Sequence, residues 1–347
     1  RRTIVNTYPL AVQAAVDGLG VALGWQHLVD RYLESGRLLC PLGDTHVKTS
    51  DGYYLLVPKN AKSSKEIDVV RNWLLQISRE SEKNFSNIKI KDFFPANVVA
   101  FYTTRTGGFS ENPYWNFNLA DNVGDNPNSV KRNRKFLTHH IKCKAVWLKQ
   151  VHSNTLFDID SIVEHEFANT VQDPPVADSS ITSKMLRCSA VMTADCLPIL
   201  VSSQKGTLIG SIHCGWKGLI NKVINVFFEN FFNKLNQIKI PSENLVYVWL
   251  GPCISQKCYP VGPELEEQFV SYKRKYKSAF NVYEKQICMD IRHIAQYQIK
   301  EVLELNKVNG EFNSHDMCTF KNKDLFFSHR RQNRTGRHAS LIFKNKT

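Results

Sequence analysis

From residue 98 onward, short runs of β-branched and aromatic residues alternate with longer stretches of helical spacing, and no other feature of the chain limits its fold as much. Residues 98–103, 145–148, 189–193, 207–214, 246–250 and 339–343 have the length and composition of strands. Residues 219–235, 264–276 and 291–305 place apolar side chains at helical spacing. A chain built this way buries its apolar faces in layers. The expected class is therefore α/β of the α+β layered kind, a mixed sheet sandwiched by helices. The 347 residues allow one large or two ordinary domains, and 42% hydrophobic residues suffice for a core.

The first 80 or so residues have a different character. Ala and Gly are frequent before residues 81–85, and Asn, Lys and Phe dominate afterwards. A boundary falls in the polar stretch 79–90, giving a small N-terminal α/β fragment over 1–83 and a catalytic domain over 84–347. Within the fragment, residues 3–6, 38–39 and 53–57 read as strands. Residues 10–16, 27–33 and 69–77 read as helices, with Gly18 and Gly20 breaking the first and Gly36 ending the second. The runs Ala11-Val12-Gln13-Ala14-Ala15-Val16-Asp17-Gly18-Leu19-Gly20-Val21-Ala22, Ser35-Gly36-Arg37-Leu38, Gly52-Tyr53-Tyr54-Leu55-Leu56-Val57-Pro58 and Trp73-Leu74-Leu75 resemble the C-terminal end of a LysR-type regulator's effector domain. That family's DNA-reading helix-turn-helix and most of its ligand cleft are missing, so the resemblance implies no regulator activity. A fusion remnant, a gene-model error and a docking appendage all fit.

No apolar run approaches the roughly 20 residues that span a bilayer, so no membrane partner is expected. The first residues lack the apolar stretch of a signal peptide. Nine cysteines at irregular spacing, in a chain this long, read as free or chemically used thiols in a reducing compartment, the cytoplasm. The formal charge is +13. Residues 1–85 hold 11 Lys/Arg and 9 Asp/Glu, so +11 falls on the rest. The lysines are scattered and no RNA-binding motif or zinc-finger spacing accompanies them, so the charge reads as general surface and no specific nucleic-acid partner is expected.

Three segments set metal-capable side chains beside strands. Gln150-Val151-His152 follows the run at 145–148. Thr193-Ala194-Asp195-Cys196-Leu197-Pro198 joins two apolar runs. Ser211-Ile212-His213-Cys214-Gly215-Trp216 ends a strand and precedes a helix. Zinc takes imidazole nitrogen and thiolate sulfur, and a catalytic site uses three protein ligands with the fourth position open. The set His152, Cys196 and His213 has that composition, and the chain has no CxxC pair of a structural site. Spacing alone does not establish it: the residues are 44 and 17 apart, and each alone also suits an ordinary core or surface position. Cys214 neighbours His213 and points to the opposite face of its strand, so it is left out.

A series of motif blocks runs from about residue 94 to 343. It opens with Thr103-Thr104-Arg105-Thr106-Gly107-Gly108-Phe109-Ser110, Asn116-Phe117-Asn118-Leu119, Val123-Gly124-Asp125-Asn126-Pro127 and Asn133-Arg134. It continues through Lys149-Gln150-Val151-His152, Ala177-Asp178, the Thr193–Pro198 segment and His213-Cys214-Gly215-Trp216-Lys217-Gly218. Leu250-Gly251-Pro252-Cys253-Ile254, Phe326-Phe327-Ser328-His329-Arg330-Arg331 and Thr335-Gly336-Arg337 complete it. In this order the blocks resemble the laccase-domain family, also called multicopper polyphenol oxidase or YfiH-type proteins. Cys214, Lys217 and His329 stand where Ala, Arg and Tyr are common, and none of these departures removes a ligand. The resemblance implies zinc on His152, Cys196 and His213. It implies phosphorolysis of adenosine, inosine, guanosine and methylthioadenosine to free base and ribose 1-phosphate, with purine nucleosides and phosphate as partners, and deamination of adenosine to inosine.

For that chemistry Asp195, beside Cys196, is a candidate proton carrier, with an orienting role as the competing reading. Phosphate calls for arginine forks, and Arg105, Arg134, Arg330 and Arg331 are candidates, each with an ordinary ion-paired reading beside it. Asn118 is placed with them as a substrate contact. Trp216 and Phe109 suit purine stacking and core packing alike. Two other enzyme classes compete. A copper polyphenol oxidase needs many histidines, commonly as His-x-His, whereas the 11 His here include no such pair. A cysteine hydrolase, or a peptidoglycan-precursor editing enzyme, would use Cys196 as nucleophile and His213 as base.

Overall fold

The computed structural model describes residues 8–19, 29, 31–33, 35–38, 87–163, 174–238 and 243–345. The chain divides into two compact units, Arg1–Leu75 and Gln76–Thr347. In the first, helix α1 (Tyr8–Val16) ends where Gly18 takes a left-handed conformation, and Gly36 does the same after the helical residues 31–33. The expected strands at 3–6 and 53–57, the helix at 69–77, Leu39 and most of the 79–90 boundary lie outside the described residues.

In the second unit the elements run as β1 (Asn87–Lys89), β2 (Val98–Thr103), α2 (Pro127–Ile141), β3 (Lys144–Val146), β4 (Leu156–Asp158), β5 (Ser179–Thr182), β6 (Arg187–Thr193), β7 (Leu197–Ser203) and β8 (Ile209–Cys214). They continue as α3 (Trp216–Ile220), α4 (Val223–Gln237), β9 (Leu245–Leu250), α5 (Pro263–Tyr272), β10 (Phe280–Tyr283), β11 (Gln286–Met289), α6 (Ile291–Asn306), β12 (Asn309–Ser314) and β13 (His338–Lys344). The layered α/β class is as expected, and the sheet is in fact two. One has the order β1-β2-β13-β6-β3 and the other β12-β9-β7-β8-β5-β4, with β10 and β11 forming a separate hairpin. Both large sheets are mixed: β3/β6, β4/β5 and β12/β9 are parallel pairs among antiparallel ones.

Alternation along the strands builds three packed layers. Ala100 and Tyr102 of β2 and Ile342 of β13 meet Leu200, Ile209 and Trp249 of the other sheet, with the Tyr102 and Trp249 rings stacked at 5.5 Å. The opposite face of the first sheet presents Phe101, Ala190, Met192, Leu341 and Phe343 towards Leu137 of α2. The opposite face of the second presents Ile199, Val201, Ile212 and Val248 to Phe227, Phe228 and Phe231 of α4 and to Ile294 and Ile299 of α6. Every residue of β6, β7, β8 and β13 is buried, and apart from Arg187, His213, His338 and Lys344 these strands are built of small and apolar residues. Where the sheets meet through polar groups, Ser180, Ser189 and Ser211 satisfy one another in a chain of 2.7 Å hydroxyl contacts.

The helices differ from expectation at three places. The helix expected over 219–235 is two helices, because Lys222 turns left-handed (φ 62°) and re-aims the phenylalanine face of α4 onto β8. The helix at 264–276 ends at Tyr272, where Lys273 is extended, and a 3-10 turn follows over Arg274–Ala279. Helix α2 was not expected, since only Val130, Asn133 and Leu137 of its 15 residues are buried. Its start is marked by Asn126, whose side chain caps the Asn128 N–H, and by Pro127 in the first turn.

Phe227 is fully buried, and its ring lies where a side chain at Gly210 would stand. Phe227→Ala is expected to cost about 3–5 kcal/mol, read as a lower urea midpoint with the slope of the transition unchanged.

Candidate metal centre

Strand register brings the distant segments together. In the β7/β8 pair Leu197 faces Cys214 and Pro198 faces His213, so Cys196, just before β7, lies beside the end of β8. On the other side of β8, Ser179 faces Ile212, and the His213 N–H donates to the Asp178 carbonyl at 2.7 Å. Cys196 and Asp178 therefore flank His213. The third segment enters through the loop after β3, where Gln150 clamps the Met192 backbone through both its amide N (2.9 Å) and its amide O (2.8 Å).

The donor atoms of His152, Cys196 and His213 all lie within 4.8 Å of one another. Cys196 Sγ is 3.8 Å from His152 Nε2, and the two imidazole rings are 4.7 Å apart at 70°. Atoms about 2.0–2.3 Å from one tetrahedral ion stand roughly 3.5 Å from each other, so small shifts seat a metal. Gly215 leaves room for them. A Cβ there would meet His152 Cδ2 at 2.9 Å and Cys196 Sγ at 3.0 Å.

One carboxylate organises the set. Asp178, fully buried, accepts the N–H groups of Val151, His152 and Ser153 at 3.2, 3.0 and 2.7 Å and the Ser153 hydroxyl at 2.9 Å. It also holds His213 Nδ1 at 2.8 Å, leaving Nε2 for the centre. His152 is left-handed (φ 61°), a conformation costly for a residue with a side chain. Three charge-assisted bonds to one carboxylate offset that cost. Burial alone would raise the Asp178 carboxyl, but the His213 hydrogen bond and charge and the Ser153 bonds bring it down to about 2. Burial likewise would raise the Cys196 thiol. The charge of His213 and the hydrogen bond of His152 outweigh it and bring it down to about 6. Against its own burial, the Cys196 charge and the Asp178 bond hold the His213 imidazolium up to about 9. Without metal, these shifts favour thiolate on Cys196 and imidazolium on His213.

Asp195 points elsewhere. It is left-handed (φ 96°), and its carboxylate accepts the Thr319 hydroxyl at 2.6 Å, the Ser328 hydroxyl at 3.0 Å and the Arg330 N–H at 2.7 Å. It thereby ties the loop carrying Cys196 to the segment 319–330. Cys214 is buried in the core under the second sheet.

The other expected contacts are spread among structural bonds. Asn118 donates to the Ala120 carbonyl and to Asp125, and accepts the N–H groups of Ala120 and Arg337. Arg134 donates to the Leu119 carbonyl and pairs with Asp121. Arg105 donates to the carbonyls of Trp115 and Lys323. Arg331 donates to those of Thr319, Phe320 and Phe326. Arg330 is exposed, lies 4.9 Å over the Tyr259 ring and donates to the Pro260 carbonyl. Trp216 packs against the core of the second sheet, and Phe109 carries Arg132 over its ring at 4.2 Å.

Three residues with evident roles were not assigned from sequence. Asp178 and Arg337 lie in blocks already noted, but neither block states a role. The charges of Cys196 and Asp195 both act on Arg337, which burial otherwise lowers. Tyr259 feels the same two charges and Arg330, and burial keeps its phenol protonated well above the ordinary range. Only the fold gathers Arg330, Arg337 and Tyr259 around the Cys196 loop.

The fold and this centre define a mixed α/β protein with an open three-donor nitrogen–sulfur cluster at the end of a buried strand pair. The chain belongs to the multi-copper polyphenol oxidoreductase laccase family, whose model matches residues 99–345. It is 35% identical over 251 residues to purine nucleoside phosphorylase YfiH of Shigella flexneri, covering 72% of this chain and 95% of that one. It is 34% identical to a purine nucleoside phosphorylase of Haemophilus influenzae, covering 72% and 95%. Among solved structures, a Neisseria meningitidis protein of the DUF152 family matches at 32% identity and a TM-score of 0.63, covering 76% of this chain and all of that one. YlmD of Geobacillus stearothermophilus matches at 25% identity and a TM-score of 0.61, covering 72% and 93%.

Asp178→Ala is expected to weaken metal binding about 10–100-fold, measured by competition with a chromogenic chelator. In chelator-stripped protein, the rate of iodoacetamide alkylation at Cys196 should rise with pH through about 6, well below an ordinary thiol.

Proposed function

We propose that this protein is a zinc-dependent purine nucleoside phosphorylase that also deaminates adenosine. The convergence of His152, Cys196 and His213, with Asp178 behind His213, carries this reading. Relatives named purine nucleoside phosphorylase, covered over almost their whole length, support it. The donor chemistry favours zinc: two imidazoles and one thiolate with an open side suit it. Bound zinc supplies a Lewis-acid charge that makes water more acidic near neutral pH. A copper oxidase of the kind the family name describes needs several ions, and among the described residues this is the one three-donor group.

The residues around the centre then have distinct tasks. Asp178 fixes the His213 ring and tautomer. Asp195 acts as a positioning residue, holding the loop of Cys196 against Thr319, Ser328 and Arg330. In phosphorolysis the anomeric carbon gains cationic character as the base leaves, and a phosphate oxygen attacks it. Arg330 and Arg337, two of the arginines beside the Cys196 loop, provide the charge that draws phosphate in. Arg105, Arg134, Arg331 and Asn118 support the surrounding loops through the bonds described above. Tyr259 stays a neutral hydroxyl donor. The free cysteines among the described residues support a reducing compartment, the cytoplasm. No helix among the described residues is long and apolar enough to cross a membrane.

A second reading is a cysteine hydrolase, favoured by one observation, the thiolate character of Cys196 beside two histidines. Chelator separates the two. The zinc reading expects activity lost to chelator and restored by zinc. The hydrolase reading expects activity indifferent to chelator and lost on alkylation of Cys196.

Incubated with adenosine and phosphate, the protein should release adenine and ribose 1-phosphate, and without phosphate it should release inosine, both followed by chromatography. His152→Ala should abolish both products. Wild-type turnover in that variant would remove the metal from the mechanism.

A further inference from the structure

A second group of sulfurs lies behind the Asp195 loop. An isolated bridge pairs Cys253 with Cys318, and Ser255 folds over the Cys318 sulfur. The Ser255 N–H donates to Cys318 Sγ at 3.3 Å and the Ser255 hydroxyl at 3.0 Å. The turn after Cys318 aims the N–H groups of Phe320 and Lys321 at the same atom. The Cys258 N–H closes a turn onto the Ser255 carbonyl at 2.9 Å, which sets Cys258 beside the residue that covers the Cys318 sulfur. Both cysteines are free; Cys318 is buried and Cys258 half-buried.

This is the environment of a poised thiolate. Burial pushes Cys318 up, yet the donors from Ser255, Lys321 and Phe320 outweigh it and hold the thiol below its ordinary range. Cys258, raised by burial, keeps its proton and stands on the same Ser255 turn as the second thiol. A reactive sulfur beside a resolving one is the arrangement of a peroxide-sensitive pair.

We propose that Cys258 and Cys318 are an oxidation site, closing into a disulfide with hydrogen peroxide as oxidant. The Cys318 thiolate attacks one peroxide oxygen, the O–O bond breaks and hydroxide leaves, giving a sulfenic acid at Cys318. Cys258 then loses its proton to that hydroxide, and its sulfur attacks Cys318 Sγ. The S–O bond breaks and the departing hydroxide takes up from solvent the proton that Cys318 released on ionising. Two thiols and one peroxide become one disulfide and two waters. Bonding the two sulfurs draws residue 318 towards the turn at Cys258. Thr319, next in sequence, is the residue whose hydroxyl holds Asp195 at 2.6 Å, and Ile254 N–H holds the Asp195 carbonyl at 2.9 Å. Closure therefore pulls on the clamp that positions the Cys196 loop.

The test is peroxide treatment of the full chain, alkylation of remaining thiols and tryptic mass mapping. Cleavage after Lys257, Lys273, Lys307 and Lys321 places Cys258 in peptide 258–273 and Cys318 in peptide 308–321, with Cys253 in a separate fragment. The expected result is these two peptides joined, two hydrogens lighter than their sum, and separated again by dithiothreitol. Cys258→Ser should give no joined pair and instead carry sulfinic acid at Cys318. A wild type in which both thiols remain alkylatable, or in which Cys318 reaches sulfinic acid unjoined, overturns the proposal. Nucleoside turnover should fall severalfold on oxidation of the wild type, recover with reductant and hold in Cys258→Ser. Equal loss in both proteins overturns the link to Asp195. The mass readout is independent of the catalytic reading, so failure of one is distinguishable from failure of the other.

Discussion

The buried carboxylate of Asp178 is the interaction on which the centre depends. It takes three consecutive backbone N–H groups, one hydroxyl and one imidazole N–H, which gives a fully buried charge the partners it needs to remain ionised. In doing so it holds His152 in a left-handed conformation and turns His213 towards the same point. Removing it would leave an unsupported loop and a buried imidazole without a partner. In the metal-free centre the negative charge also favours a proton on His213 against its burial, and that charge favours the thiolate of Cys196. Three groups separated by long stretches of chain thus share one electrostatic arrangement.

The two-sheet sandwich makes this arrangement possible. Strands β7 and β8 are buried on both faces, so their ends cannot wander, and side chains leaving those ends are placed by strand register rather than by loop conformation. Asp178 precedes β5, Cys196 precedes β7 and His213 closes β8, three neighbouring strands of one sheet. Asp195 performs a complementary service on the far side of Cys196. Its carboxylate binds side-chain and backbone donors from 319–330, so a segment over a hundred residues away in sequence fixes the loop. Arginines serve the same end. Arg330, Arg331 and Arg337 all donate to backbone carbonyls around this loop, which is how long crossing segments without regular structure stay satisfied.

Much of this was legible before any coordinates. The strands at 98–103, 246–250 and 339–343 announce themselves by apolar runs of the right length, and the helix at 291–305 by its period. Helix α2 was not legible, because it rests mostly against solvent and its polar surface carries little periodic signal. The break at Lys222 was hidden because a left-handed lysine looks like any other lysine. At the centre, residue chemistry together with a family resemblance singled out His152, Cys196 and His213. An orienting role for Asp195 was one of the two readings its place beside Cys196 allowed, but neither source disclosed its partners, that Asp178 orients the set, or that Arg337 and Tyr259 stand beside Cys196.

The sequence by itself determined the inventory: which side chains could ligate, which runs would be strands, and that these would pack in layers. Those properties are local, carried by donor type and by hydrophobic period. Only the tertiary structure decided which donors meet and which arginines are already committed. A side chain's role depends on the charges and hydrogen-bond partners brought to it by strand register, and those partners come from parts of the chain that no local pattern connects.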